Sequence, residues 1–107
     1  MRFQIVLAPQ AGRTMRNLPA RLRSEVREAL ETHLRHEPRK VSKSRIKRLR
    51  GMSQPQFRLR VGDIRVFYDV RNEAVEVLAI VTKAQAQEWL AEQGTPGEAG
   101  GPREDEG

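Results

Sequence analysis

Three arginines lie close together in the stretch QFRLRVGDIRVFYDV, residues 56–70: Arg58, Arg60 and Arg65. A guanidinium presents a planar fork of donors that matches the oxygens of a phosphate or carboxylate. Chemistry on a phosphodiester is therefore the first question this stretch raises. Its other positions alternate as strands do, and Gly62 can take the positive φ that a tight primed turn demands. With Gly62-Asp63 as the loop, Val61 faces Ile64, Leu59 faces Val66 and Phe57 faces Tyr68, giving one apolar face. The same register sets Arg60 across from Arg65, and Arg58 across from Phe67, on an opposite face expected to be exposed. Like charges directly opposed across a sheet are unfavourable, and Asp69 is two pairs away. An anion bound between them would supply the missing charge. Lone exposed arginines more often only discourage edge-to-edge aggregation; three in one patch favour a phosphate site.

The elements that must hold this hairpin can be read outward from it. Phe3, Ile5 and Leu7 suit a first strand ending at Pro9, and a short helix is expected around residues 11–17. The strongest helix signal spans about residues 19–35, with Pro19 fitted to a first-turn position. There Leu22, Val26, Ala29, Leu30 and Leu34 recur at three- and four-residue steps and form one apolar stripe. Residues 74–81, AVEVLAIV, read as a fourth strand after a turn at Asn72-Glu73. Residues 82–93 read as a closing helix with Thr82 as N-cap. The expected class is α+β: helices on a mostly antiparallel four-stranded sheet.

A second basic feature lies upstream. PRKVSKSRIKRLRG, residues 38–51, holds Arg39, Lys40, Lys43, Arg45, Lys47, Arg48 and Arg50 and no acid. Leading into the arginine strands, it is expected to form a stripe that tracks a nucleic-acid backbone. Phe67 is the one aromatic residue assigned to the arginine face, which suits phosphate contact more than base readout.

Other catalytic signals are thin. His33 and His36, three apart with Glu37 nearby, lack a distant third ligand, so no metal site is expected; solvated histidines at a helix C-terminus are the plainer reading. Asp63 reads as a turn residue. Asp69 and Glu76 are expected to face each other across the second hairpin, too exposed for a tuned acid–base pair, and Ser42, Ser44 and Ser53 have no evident base. The absence of cysteine excludes disulfides and thiolate chemistry. No apolar run reaches membrane-spanning length and the N-terminus does not read as a signal peptide, so a soluble cytoplasmic protein without a cofactor is expected.

Charge divides the 107 residues unevenly. The formal net charge is +6, and residues 94–107, GTPGEAGGPREDEG, carry −3 of it, which leaves +9 on residues 1–93. Rich in Gly and Pro and without a large apolar residue, the tail is expected to be disordered and to follow a single domain of residues 1–93. The basic body points to polyanionic partners.

Residues 49–83, LRGMSQPQFRLRVGDIRVFYDVRNEAVEVLAIVTK, resemble the sheet core of RelE/ParE-type toxins of bacterial type II toxin–antitoxin systems. The carrying pattern is Arg-x-Arg-x-Gly-Asp-x-Arg-Val-x-Tyr followed by an alternating Val/Leu strand, and the order of elements extends the resemblance over roughly residues 1–92. It implies a small, acidic cognate antitoxin as partner. In the RelE-like ribosome-dependent endoribonucleases, basic residues on these strands hold the mRNA and stabilise the transition-state phosphate, which assigns those roles to Arg58, Arg60 and Arg65. The family often adds an Arg after the last strand and a Tyr beyond it. Ala84 and Leu90 stand there instead, with Lys83 and Glu88 the polar groups left nearby.

Three readings stay open on the sequence alone. One is an mRNA-cleaving toxin using Arg58, Arg60, Arg65 and Lys83; another is a ParE-like toxin that poisons DNA gyrase by protein contacts. The last is a module that only binds RNA and antitoxin. For the antitoxin, a patch is expected where Phe67 faces Leu78 and Arg65 faces Ile80, partly covered by Trp89 of the closing helix.

Overall fold

The computed structural model describes residues 1–97. The expected tail of residues 94–107 thus lies, from residue 98 onward, outside the described residues. The chain runs β1 (Gln4–Leu7), α1 (Pro9–Asn17), α2 (Ala20–Leu34), β2 (Ile46–Arg48), β3 (Met52–Gln54), β4 (Phe57–Val61), β5 (Ile64–Arg71), β6 (Ala74–Thr82), α3 (Lys83–Gln93) and β7 (Thr95–Pro96). The class is α+β, as expected, but the main sheet has five strands rather than four, in the order β1-β6-β5-β4-β2. The added strand is β2, at the sheet edge, and it comes out of the basic run. All pairs are antiparallel except β1 with β6.

The first hairpin has the expected register, with Arg60 opposite Arg65 and Leu59 opposite Val66. Gly62 takes φ 58°, the left-handed conformation in which a side chain would be strained. The second hairpin turns at Asn72-Glu73 and pairs as expected from Arg71↔Ala74 to Tyr68↔Val77, and then slips by one. Leu78 is the additional residue of a β-bulge, so Phe67 faces Ala79 and Arg65 faces Val81. The expected pairs Phe67–Leu78 and Arg65–Ile80 are therefore corrected.

One face of the sheet is the core. Leu59, Val66, Tyr68 and Val77 are fully buried there with Val26 and Leu34 of α2 and Ala11 of α1. The α2 stripe thus buries as its spacing requires, and each such aliphatic side chain contributes roughly 1.5–3 kcal/mol relative to exposure. Phe57 and Tyr68 stack with ring centroids 5.4 Å apart, and the Tyr68 hydroxyl donates to the Pro38 carbonyl at 2.7 Å. That bond ties the start of the basic run to the sheet. Ile80 belongs to this core, opposite Val66.

The other face is covered in part by α3. Thr82 caps it reciprocally: the Gln85 amide donates to Thr82 Oγ1 at 3.2 Å, and Gln85 Oε1 accepts from the Thr82 amide at 3.1 Å. Trp89 lies flat on Phe67, centroids 5.1 Å apart and planes within 10°. No α3 residue is fully buried, so the helix rests on the sheet rather than being built into it. Beyond it, Thr95 and Pro96 pair with Gln54 and Met52.

Candidate nucleic-acid interface

The face opposite the core presents two basic rows that run across strands. In one, Lys47 of β2 stands opposite Arg58 of β4, and Arg58 opposite Phe67 of β5. In the other, the Arg60 amide donates to the Arg45 carbonyl at 2.8 Å, and Arg60 stands opposite Arg65. The upstream run is therefore partly a strand of the arginine face. Ile46, buried opposite Leu59, anchors it there. A single apolar residue between Arg45 and Lys47 is the only signal of this in the sequence, too short to read as a strand.

The three arginines are not equivalent. Arg60 is exposed and, among the described residues, its guanidinium has no hydrogen-bond or ion-pair partner. It lines a hollow of about 240 Å³ with Ser44, Arg45 and Gly62. Arg65, expected on the exposed face, is buried. Its Nη1 donates to the Gly62 carbonyl at 2.8 Å and to the Ile64 carbonyl at 3.1 Å, so it braces its own turn. Arg58 is half-buried, with Nη2 donating to the Ser44 carbonyl at 3.0 Å and Nε buried without a partner among the described residues. Burial, then the charges of Arg65 and Arg60, push the Arg58 pKa down. Its cation is held where it is disfavoured.

Arg58, Arg65 and Phe67 form the floor of a hollow of about 400 Å³, roofed by Lys83, Gln87 and Leu90 of α3. Lys83, Ala86, Gln87 and Leu90 recur at three- and four-residue steps and form the helix face over the arginines. Gln87 carries no catalytic signature in the sequence, although this spacing from the Thr82 cap points to it. No carboxylate or imidazole lines this hollow among the described residues. Leu90 brings no hydroxyl to the place where the family's Tyr was expected. The arrangement can bind and polarise a phosphate, and it leaves Lys83 as its one group besides arginine that can exchange a proton.

The rest of the basic run is scattered. Arg39 lies over the Phe3 ring at 5.9 Å, Lys40 is 3.7 Å from Glu37, and Arg48 stacks over Phe57 at 5.3 Å while donating to the Gln56 carbonyl at 2.7 Å. Lys43 and Arg50 are exposed in loops. A single continuous stripe does not form; the structure assembles Arg45, Lys47, Arg58, Arg60, Arg65 and Lys83.

Two acid–base expectations change. Asp69 does face Glu76, but it is buried: its carboxylate accepts from the Gln56 amide at 2.8 Å, from Gln54 Nε2 at 2.7 Å and from Arg71 at 3.2 Å. It clamps the start of β4 to β5. His33 and His36 line a separate hollow with Glu37 and Arg45, and burial followed by the Arg45 charge pushes the His33 pKa down. No group of three potential metal ligands occurs among the described residues.

Of the expected docking patch, Phe67 is buried under Trp89, Leu78 is half-buried at the bulge, and Ile80 is withdrawn into the core. The β6 edge beyond Val77 has no strand beside it among the described residues. It forms the floor of a hollow of about 420 Å³ between Gln10 and Thr14 of α1 and Gln85, Glu88 and Trp89 of α3. The Trp89 indole N–H is buried without a partner among the described residues.

Several solved structures share this fold. The RelE–RelB complex of Pyrococcus horikoshii OT3 is similar at TM-score 0.65 and 23% identity, over 79% of this chain and 99% of that one. The RelBE2 toxin–antitoxin complex of Mycobacterium tuberculosis is similar at TM-score 0.62 and 25% identity, over 77% and 99%. An arginine-to-alanine mutant of the Escherichia coli toxin RelE in the free state is similar at TM-score 0.65 and 24% identity, over 86% and 94%. No curated protein matches the chain. Residues 5–87 match the family model of the ParE toxin of type II toxin–antitoxin systems, parDE, and the chain belongs to that family, within the RelE/ParE superfamily of toxins.

Proposed function

We propose that this toxin inhibits translation by engaging mRNA on the ribosome through the basic face of β2, β4 and β5, and that it is held in check by a small, acidic cognate antitoxin. The observation that carries the reading is Arg58: a half-buried cation beside Arg65 and Arg60, its Nε unpartnered, in a hollow that no carboxylate lines among the described residues. A phosphate satisfies its geometry and its charge together. Arg45, Lys47 and Arg60 extend the contact along a backbone, with Lys43 and Arg50 as outer cations. Cleavage, where it occurs, runs through Arg58 as the cation that stabilises charge developing at phosphorus, with Arg65 setting the field behind it and Lys83 as proton donor or acceptor, a sparse set for acid–base work. Binding is the stronger part of the proposal. The similarity to toxins seen in complex with an antitoxin supports the antitoxin partner, for which the half-buried Leu78 and the hollow beside Trp89 supply apolar surface.

A second reading, poisoning of DNA gyrase through protein contacts, is favoured by the family model being that of ParE and by the sparse acid–base set. Assays of ribosome-dependent mRNA cleavage, RNA binding and gyrase supercoiling, run side by side, decide between them. The proposal expects Arg58→Ala and Lys47→Ala each to weaken single-stranded RNA binding and to lower the log–log salt slope by about 0.7 for each phosphate no longer neutralised. Unchanged RNA binding in both, with supercoiling inhibited by the parent chain, would replace it with the gyrase reading.

A further inference from the structure

The loop between α2 and β2 carries a hydroxyl that the basic site does not use. The serines of the chain are Ser24, Ser42, Ser44 and Ser53, and the structure gives them different work. Ser42 Oγ accepts from the Arg45 amide at 3.0 Å and from the Ile46 amide at 3.1 Å, so it builds the loop. The Ser53 hydroxyl donates to the Thr95 carbonyl at 3.1 Å. Ser24 lies inside α2, with Glu25 beside it and Glu28 one turn on. Ser44 is exposed and outside any helix or strand, and its hydroxyl has no hydrogen-bond partner among the described residues. The Lys43 and Ser44 amides also lack a backbone partner among the described residues. This short stretch therefore gives up little on entering the cleft of an enzyme.

Ser44 also sits where a phosphate would be held. It lines the hollow of about 240 Å³ with Arg45, Arg60 and Gly62, several times the roughly 30 Å³ that one water occupies. No carboxylate lines this hollow among the described residues. The Ser44 carbonyl accepts from Arg58 Nη2 at 3.0 Å, which fixes the residue at the edge of the arginine face. Two guanidiniums without an acid call for a group with negative charge and several acceptor oxygens, as a phosphoryl group has. We infer that Ser44 is a phosphorylation site, and that its phosphate, seated in this hollow on Arg45 and Arg60, withdraws both cations from RNA. The effect on RNA rests on the function proposed above; the modification and its seat do not. Residues 38–51 contain no acid, so the modifying enzyme is a serine kinase with an acidic substrate cleft that takes Arg39, Lys40 and Lys43. Ser44 Oγ attacks the γ-phosphorus of a nucleoside triphosphate held by that kinase. The Oγ–P bond forms, the bond from phosphorus to the β–γ bridging oxygen breaks, the hydroxyl proton passes to the kinase's base, and the nucleoside diphosphate leaves. The product adds a charge of about −1.5 to −2 at pH 7 at the centre of the outer basic row.

The test uses the full chain. Mass spectrometry of the protein recovered from the bacterium that encodes it, in growth and in stationary phase, should find phosphate on Ser44 and none on Ser24, Ser42 or Ser53. A Ser44→phosphoserine chain, made with a phosphoserine-charged suppressor tRNA, then reads the seat and the consequence. In a phosphorus NMR titration its second ionisation should fall below the ordinary value of about 6, because the two guanidiniums favour the dianion. Adding Arg60→Ala should move it back toward that value. In titrations with a single-stranded RNA oligonucleotide at low salt, the phosphorylated chain should bind about 10-fold more weakly than the parent, with a log–log salt slope smaller by about 1.4 for the two cations withdrawn. Ser44 unmodified in both growth phases, or phosphate on Ser42 in its place, overturns the acceptor. An ionisation at the ordinary value, unmoved by Arg60→Ala, overturns the seat. A seated phosphate with RNA affinity unchanged overturns the withdrawal of the cations. If the unmodified chain binds no RNA, the RNA reading fails and that withdrawal fails with it, while mass spectrometry and the phosphorus titration still decide the site.

Discussion

Arg60 and Arg65 stand directly opposite each other across the β4–β5 hairpin, and only Arg60 reaches solvent; Arg65 folds its guanidinium onto the carbonyls of Gly62 and Ile64. The strand pairing invites a phosphate clamp between the two, and the side-chain geometry divides the labour differently. Arg65 holds the turn and sets the field around Arg58. Among the described residues, Arg60 is the cation of the two that has no partner.

Substituting the two should therefore separate stability from binding. Arg65→Ala removes two charged hydrogen bonds and is expected to cost about 1–3 kcal/mol, with each kcal/mol lowering the melting temperature by about 4–8 °C in a domain of this size. Arg60→Ala should change stability by no more than about 0.5 kcal/mol and act on RNA affinity instead. Calorimetry and RNA titration on the same pair of variants check both halves. Equal losses of stability would return Arg60 to a structural role.

The bulge at Leu78 makes a similar division on β6. Ile80→Lys places a charge in the core and should unfold the domain, since an unpaired buried charge costs several kcal/mol. Leu78→Lys should fold, because Leu78 is half-buried. Its affinity for the cognate antitoxin, measured by calorimetric titration, then reports docking at this face; unchanged affinity places the antitoxin elsewhere.

These two positions also show what the sequence could and could not reveal. The first hairpin was legible because Gly62 fixes the turn, and alternation then assigns Arg58, Arg60 and Arg65 to one face. The second was legible only up to Tyr68: a one-residue bulge shifts every later partner, and no residue type in AVEVLAIV marks it. Helix α2 followed from its stripe and α3 from its cap. Strand β2 was hidden, since Ile46 is its one buried residue and basic residues flank it. The burial of Arg65 was hidden as well, because it depends on α3 returning over β5, a relation between distant parts of the chain. The same holds for the burial of Asp69, whose partners Gln54 and Gln56 precede β4.

Thr82→Ala should loosen α3 without unfolding the sheet. Loss of a capping box costs about 1 kcal/mol, and α3 has no fully buried residue to compensate. Faster hydrogen exchange in α3 and altered Trp89 fluorescence are expected, with β4 and β5 amides unaffected. A uniform effect on the whole domain would mean that α3 is integral to its cooperative unit.

His33 gives the fold a pH dependence. Burial, and secondarily Arg45, lower its pKa below the ordinary 6.5. Between 6.5 and that lower value the unfolded chain holds more protons than the folded one, so stability increases with pH and is lost as pH falls through this window. Melting at about pH 7.5 and about pH 5.5 should show the drop, and His33→Gln should shrink it. Arg45→Ala should move the His33 NMR titration midpoint upward. A midpoint at or above 6.5 in the parent chain would contradict the assignment.

The parallel pairing of Gln4–Leu7 with Ala74–Val77 has a consequence for how the molecule comes into being. The β4–β5 and β5–β6 hairpins close over a few residues and can form early, whereas β1 must wait for a partner about seventy positions later in synthesis. Closing so long a loop is slow, and it makes the final step of assembly depend on nearly the whole chain. A nascent or prematurely ended chain that stops before β6 cannot complete the sheet. The basic face would then be attached to an unfinished core, so a broken message would yield a peptide for proteases rather than a partial toxin.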